Sequence, residues 1–309
     1  MNLKFAIPAI LICAAILAAL IALVEPESVL AAFREVPITS VVAALIVVQV
    51  QIVLSAVRWR FTAKRLDHQI SLSLAIREYY VSSLLNQLLP GGMAGDAFRA
   101  YRNRTDESGG WKRPATAVLL ERLSGQVAFF FLIGLGLFAW PLLLSDHLPD
   151  GFAVLVWIFV SVLVGCATLG TVFWRSNLFE RFRRLKPDLA AVFWQGGALR
   201  VQVGLSVLIV AGYVATFLIA SDAVGATLPV VAAMTAIPLC LLTMLIPAGV
   251  GGWGTREAAA AALWPLFGFT SAQGLSASLL YGLLSIAGAA LPGLFFIVQS
   301  LLRGRIGQA

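Results

Sequence analysis

The chain has 309 residues, 60% of them apolar and only 12% charged, with a formal net charge of +7 and a mean hydropathy of +0.92. Soluble chains average about 45–50% apolar and about 25% charged, so the composition excludes an ordinary soluble protein and points to an integral membrane one. No stretch is long and polar enough for a separate globular domain, and residues 1–309 read as a single transmembrane domain.

The first apolar run, about residues 5–24, is long enough to span and lacks a small-residue cleavage site before Glu25. It reads as a retained helix rather than a signal peptide. A second span is expected over 38–57, followed by the densely basic RWRFTAKRLDHQ. Residues 72–98 carry Arg77, Glu78, Gln87 and Asp96, too polar for a plain lipid-facing span, and another basic loop, RAYRNRTDESGGWKRP, comes next. If both flanking loops share a side, this segment is a re-entrant hairpin with its apex near Pro90–Gly92. Spans over 115–143 and 151–174 are joined by SDHLPDG, which has no lysine or arginine, and lead back to the basic RSNLFERFRRLKPD. Residues 201–220 cross again, 229–268 form a second hairpin, and 275–301 cross to a tail with Arg303 and Arg305.

In this layout 19 of the 22 lysines and arginines fall on one side; Arg34 lies outside, and Arg122 and Arg256 lie at membrane depth. The positive-inside rule makes that side cytoplasmic. The same basic loops suit contact with anionic lipid, and no nucleic-acid partner is expected. The expected fold is an all-α polytopic protein of the bacterial inner membrane, with about six full spans, two re-entrant helical hairpins and both termini cytoplasmic. Its halves, about 38–143 and 201–301, form an inverted repeat.

The two hairpins resemble each other residue by residue. LLNQLLPGGMAGDAFRA at 84–100 and LLTMLIPAGVGGWGTRE at 241–257 align at a constant offset of 157 with seven identities in seventeen positions, among them Pro90/Pro247, Gly92/Gly249, Gly95/Gly252 and Arg99/Arg256. Proline removes a backbone donor and glycine favours non-helical dihedrals, so each helix should break here. The expected apices are Pro90, Gly91, Gly92 and Gly95 in one copy and Pro247, Gly249, Gly251 and Gly252 in the other. Paired Gly/Pro-interrupted segments in two halves of a chain point to a transport site.

Charges at membrane depth are costly and usually functional or paired. Glu121 and Arg122 lie inside the third span, beside a patch of small and polar residues, Ser124, Gly125 and Gln126. Asp96 and Arg99 follow the first glycine turn; Arg256 and Glu257 follow the second, where Thr255 is the expected N-cap of a short helix. An arginine at a helix N-terminus suits a phosphate, and Asn86 and Gln87 would add polar contacts. Structural ion pairing and interfacial snorkelling are the plainer alternatives for these charges. Cys13, Cys166 and Cys240 sit in apolar runs without ligand spacing, and His68 and His147 lie near helix ends. No metal, cofactor or enzymatic motif is expected.

The motifs LLNQLLPGGMAGDAFRAYR, LLERLSG and LIPAGVGGWGTREAAAA resemble the flippase-like transmembrane domain of lysylphosphatidylglycerol synthases, whose free-standing relatives include candidate hopanoid and glycolipid transporters. The resemblance covers nearly the whole chain. It implies a lipid transporter, with the Pro–Gly turns, Arg99, Glu121, Arg122, Arg256 and Glu257 as functional positions. Members often carry an acid shortly after the Glu–Arg pair, where this chain has Gly125, which puts a proton relay there in doubt. The synthase's soluble aminoacyl-transferase domain is not in the sequence, so lysyl-lipid synthesis is not expected. The expected partner is a membrane lipid with a phosphate-bearing or other polar headgroup, with a lipid-synthesis enzyme as a further candidate partner; the alternatives are a membrane enzyme acting on polyprenyl-phosphate glycolipids or a non-catalytic partner of a lipid synthase. Cysteines placed at Asn103 and Ser271 should label from the cytoplasmic and external sides respectively; labelling of both from one side would contradict the inverted repeat.

Overall fold

The structure is a computed structural model that describes residues 26–89, 92–104, 110–143, 152–174, 185–246 and 250–306. The expected first span at 5–24 and the expected apex residues Pro90, Gly91, Pro247 and Gly249 lie outside the described residues. Every regular element among the described residues is helical: α1 (Pro26–Arg34), α2 (Ile38–Arg65), α3 (Leu72–Leu88), α4 (Ala94–Arg102), α5 (Lys112–Leu143), α6 (Phe152–Trp174), α7 (Lys186–Leu189), α8 (Ala198–Ala223), α9 (Val230–Leu242), α10 (Thr255–Leu263) and α11 (Ser271–Ile306). Among the described residues four stretches, Ile38–Arg65, Lys112–Leu142, Lys186–Ala223 and Ser271–Ser300, are long and apolar enough to cross a bilayer.

The β-branched run over residues 46–53, IVVQVQIV, sits inside α2. In water such a run favours strands. In lipid the helix wins, because it alone satisfies every backbone group within the segment. This helix continues to Arg65, eight residues past the expected end at 57. Lysine and arginine are good helix formers and are favoured near a C-terminus by the helix dipole, so the basic loop begins as helix.

Helices α2, α8 and α11 pack on one another, α5 packs on α9, and α10 lies against α11. The pair α3–α4 is packed among α2, α5 and α11. Between α7 and α8 a π-turn over Ala190–Trp194 and two left-handed glycines, Gly196 and Gly197, interrupt the helix. Arg65 answers two of the nearby carbonyls, donating from Nε to Ala191 O at 2.7 Å and from Nη2 to Gln195 O at 2.6 Å.

Each motif copy is a helix, a break and a nine-residue helix. In the first copy, Asn86 near the end of α3 reaches across the break, and its Oδ1 accepts from the amides of Gly95 at 2.8 Å and Asp96 at 3.3 Å. The free N–H groups at the start of α4 are thus capped from the preceding helix. The fold-back is tight, since a Cβ on Gly95 would lie 2.1 Å from the Ser82 carbonyl oxygen. In the second copy Gly254, at φ +89, takes the cap position and donates its N–H to Glu257 Oε2 at 2.6 Å. This corrects the expected Thr255 cap: Thr255 is the first helical residue, and its hydroxyl donates to Thr243 O at 3.2 Å. A φ near +89° is glycine territory, so the cap falls one residue earlier.

The two breaks touch. Gly251, at φ +58, lies so close to α3 that a Cβ would stand 2.6 Å from Gln87 O.

Gly95→Ala should therefore disrupt the first hairpin, seen as loss of folded protein or a large fall in melting temperature. Gly204→Ala, where a Cβ meets nothing within 4 Å, should stabilise α8 by about 0.5–1 kcal/mol, the ordinary helical gain.

Candidate functional site

Polar residues on α2 recur at helical spacing, Gln51, Ser55, Arg58 and Thr62, and all four are buried. Three- and four-residue steps place them on one stripe, which turns inward. Opposite it, α5 presents Glu121 about 14 Å along its axis from Lys112 at 1.5 Å per residue. A cavity of about 210 Å³ lies between them, with Arg58, Asn86, Gln87, Glu121, Arg122 and Tyr213 on its walls. Gly92 from the first break and Gly251 from the second also line it. The cavity therefore sits where the two motif copies meet.

Glu121 is fully buried and organises the charged wall. Its Oε1 accepts from Arg58 Nη2 at 2.7 Å, Arg58 Nε at 3.3 Å and the Tyr79 hydroxyl at 3.2 Å. Its Oε2 accepts from Arg99 Nη2 at 2.9 Å. The same Arg99 nitrogen lies 3.0 Å from Asp96 Oδ1, and Arg122 Nη2 pairs with Asp96 Oδ2. Ser82 and Asn86 donate to the two Asp96 oxygens at 3.1 and 3.2 Å, and Arg58 Nη1 donates to Ser206 Oγ at 3.1 Å. One carboxylate thus ties α2, α3, α4 and α5 together.

The charges in this network do not cancel. Arg58, Arg99 and Arg122 face Asp96 and Glu121, three positive groups against two negative, so one positive charge is left over. Two buried polar atoms at the cavity, Arg122 Nε and Gln87 Oε1, have no hydrogen-bond partner among the described residues. Arg122 is paired with Asp96 yet leaves 34% of its side chain exposed, so the arrangement can accept one more anion.

The second arginine is built differently. Arg256 donates to Glu257 Oε1 from Nη2, and from Nε to Ser278 Oγ at 2.9 Å, while Ser278 donates to Glu257 at 3.0 Å. That pair is neutral and fully buried. Both arginines lie between a tryptophan and a tyrosine: Arg99 is 4.7 Å from the Trp59 ring centroid and 4.4 Å from that of Tyr79, and Arg256 is 5.1 Å from Trp253 and 4.9 Å from Tyr281. Such cation–π contacts supply part of what water would otherwise provide to a guanidinium. Tyr79 and Tyr281 also line the cavity, so each arginine stands one aromatic ring behind its wall.

Of the expected contact residues, Asn86, Gln87, Glu121 and Arg122 line the cavity, whereas Asp96, Arg99, Arg256 and Glu257 do not. Asn86 is engaged in capping α4. Arg58 opens the basic run that follows the expected second span, and the structure makes it a cavity residue. The polar stripe on α2 is the signal that would have found it. Gly125, in place of the acid often found there, has its ideal Cβ position 3.3 Å from Arg58 Nη2, so a larger side chain would press on that arginine. Among the described residues no group of three His, Cys, Asp or Glu is placed to hold a metal ion.

The family model of the lysylphosphatidylglycerol synthase transmembrane region matches residues 7–293. No curated protein matches the chain, and no solved structure does.

Glu121→Gln should be strongly destabilising, because it leaves Arg58 and Arg99 without their shared carboxylate. Breaking a buried ion pair from one side costs about 3–5 kcal/mol, and thermal unfolding of the purified variant would read it. A melting temperature within a degree of wild type would show that the network does not hold these helices.

Proposed function

The chain belongs to the lysylphosphatidylglycerol synthase transmembrane-region family, and from that premise we propose that it moves a lipid with an anionic, phosphate-bearing headgroup between the leaflets of the bacterial inner membrane. The observation that carries the reading is the cavity with one surplus positive charge at the meeting point of two broken helices. A phosphodiester monoanion would cancel that charge. Guanidinium–phosphate contact is a strong, geometrically selective interaction; Arg58 and Arg122 are the arginines on the wall, and since Arg58 is committed to Glu121 and Ser206, Arg122 is the one to make it.

In this proposal α3–α4 and α9–α10 are re-entrant hairpins of an inverted repeat, entering from opposite faces. Broken helices in lipid are tolerated where they line a watery cavity, and inverted repeats give the two faces equivalent access to one central site. Arg99 and Arg256 then act as positioning residues that hold each hairpin through its carboxylate and its aromatic pair. The protein is not an enzyme in this reading: the headgroup crosses and no bond changes.

Arg122→Gln should reduce the affinity of the purified, folded protein for phosphatidylglycerol. A hydrogen bond to a charged group contributes about 1.5–3 kcal/mol, so the loss should be roughly 10- to 100-fold, with Arg122→Lys in between. Arg256→Ala should instead lower thermal stability, because it strands Glu257, while the folded fraction binds as wild type does. Wild-type affinity in Arg122→Gln would remove the headgroup assignment.

A further inference from the structure

A cavity of about 210 Å³ is smaller than the roughly 300–1,000 Å³ of pockets that enclose a drug-sized ligand. It has room for a headgroup and none for two acyl chains. Beside it, between α5 and α8, lies an apolar groove of about 980 Å³. Resting on the transport reading above, we infer that this groove is the track for the acyl chains of the same lipid whose headgroup occupies the polar cavity.

The two spaces are neighbours on the same helices. On α5, Arg122 and Gln126 line the cavity while Leu123, Val127 and Phe131 line the groove; on α8, Val210 lines both. The few polar residues of the groove, Ser124, Ser206 and Gln202, are buried, and Ser206 accepts from Arg58 of the charged wall. Polar character is therefore concentrated on the side facing the cavity, and the open side is hydrocarbon.

Length points the same way. The α8 positions along the groove run from Leu199 through Val203 and Val207 to Leu218. The nineteen residue-to-residue steps between them cover about 28 Å of helix, close to the ~30 Å hydrocarbon thickness of a bilayer. Phe193 and Trp194 stand at one end and Val230 and Met234 at the other. A pocket serving one leaflet would need only about half this length. A groove crossing both lets the chains stay in hydrocarbon throughout while the headgroup passes the neighbouring charged wall. The apolar lining and the charged cavity thus match the two chemistries of one amphiphile, which a second protein copy would not require.

The test uses full-length protein in phosphatidylcholine vesicles containing phosphatidylglycerol with a fluorescent headgroup-leaflet reporter. Val127 and Val207 are about half exposed (49% and 58%), so a tryptophan at either should fold. Val127→Trp and Val207→Trp should slow phosphatidylglycerol transfer at least tenfold, while binding water-soluble glycerol phosphate as wild type does. Leu294→Trp, equally exposed at 52% on α11 and outside both spaces, should transfer at the wild-type rate. Groove variants that transfer like Leu294→Trp would overturn the track. So would Val207→Cys and Phe131→Cys proteins that cross-link in the membrane to a second copy or to residues 5–24, because the groove would then be covered by protein. Wild-type protein that neither binds glycerol phosphate nor moves phosphatidylglycerol would overturn the transport reading itself, a different result from selective failure of the groove variants.

Discussion

The structure turns on a carboxylate with no access to water. Glu121 is fully buried and would be intolerable in a membrane interior alone. Its solution is to collect a donor from each neighbour: Arg58 from α2, Tyr79 from α3 and Arg99 from α4. The first hairpin cannot leave α5 without exposing an unpaired charge at each end of the broken contact. Asp96 extends the network to Arg122, and with that residue the charges stop balancing.

The rest follows from where the imbalance falls. Both glycine breaks reach the cavity, through Gly92 and Gly251, and the contact between Gly251 and Gln87 is too close for a side chain. Backbone approach of this kind allows a small polar space to exist inside a helical membrane protein without a wide channel. The two motif arginines serve their hairpins from behind tyrosine rings, in similar aromatic surroundings but with different electrostatics: Arg256 has a private carboxylate in Glu257, and Arg99 shares two with other arginines. The second half is neutral there, and the first carries the surplus charge.

Much of this was legible in one dimension. Apolar run lengths located the helices that coincide with α2, α5, α6, α8 and α11, because lipid leaves the backbone few alternatives. The repeated Pro–Gly motifs located both breaks, since proline and glycine act locally. Glu121, Arg122, Asn86 and Gln87, which stand out in the sequence as polar residues among apolar ones, line the cavity. What escaped was pairing and facing. Arg58 looked like loop charge because it opens a basic run, and only the helix continuing to Arg65 turns it inward. Arg99 and Arg256 looked alike by register, yet their exposure depends on the tyrosines and carboxylates that other helices bring. The Thr255 cap failed because local preference yielded to a glycine already committed to positive φ. The family match over residues 7–293 agrees with the resemblance read from the three motifs.

The central claim is that the cavity's surplus positive charge selects an anionic headgroup. The most direct measurement is leaflet transfer by the wild-type protein in vesicles, comparing phosphatidylglycerol with phosphatidylcholine of the same chains. Their tails are identical, so any difference belongs to the headgroup. A monoanion would neutralise the network, whereas a zwitterion would bring a trimethylammonium against a wall that already carries Arg58 and Arg122. The account predicts that phosphatidylglycerol moves at least tenfold faster; equal rates for the two lipids would contradict it.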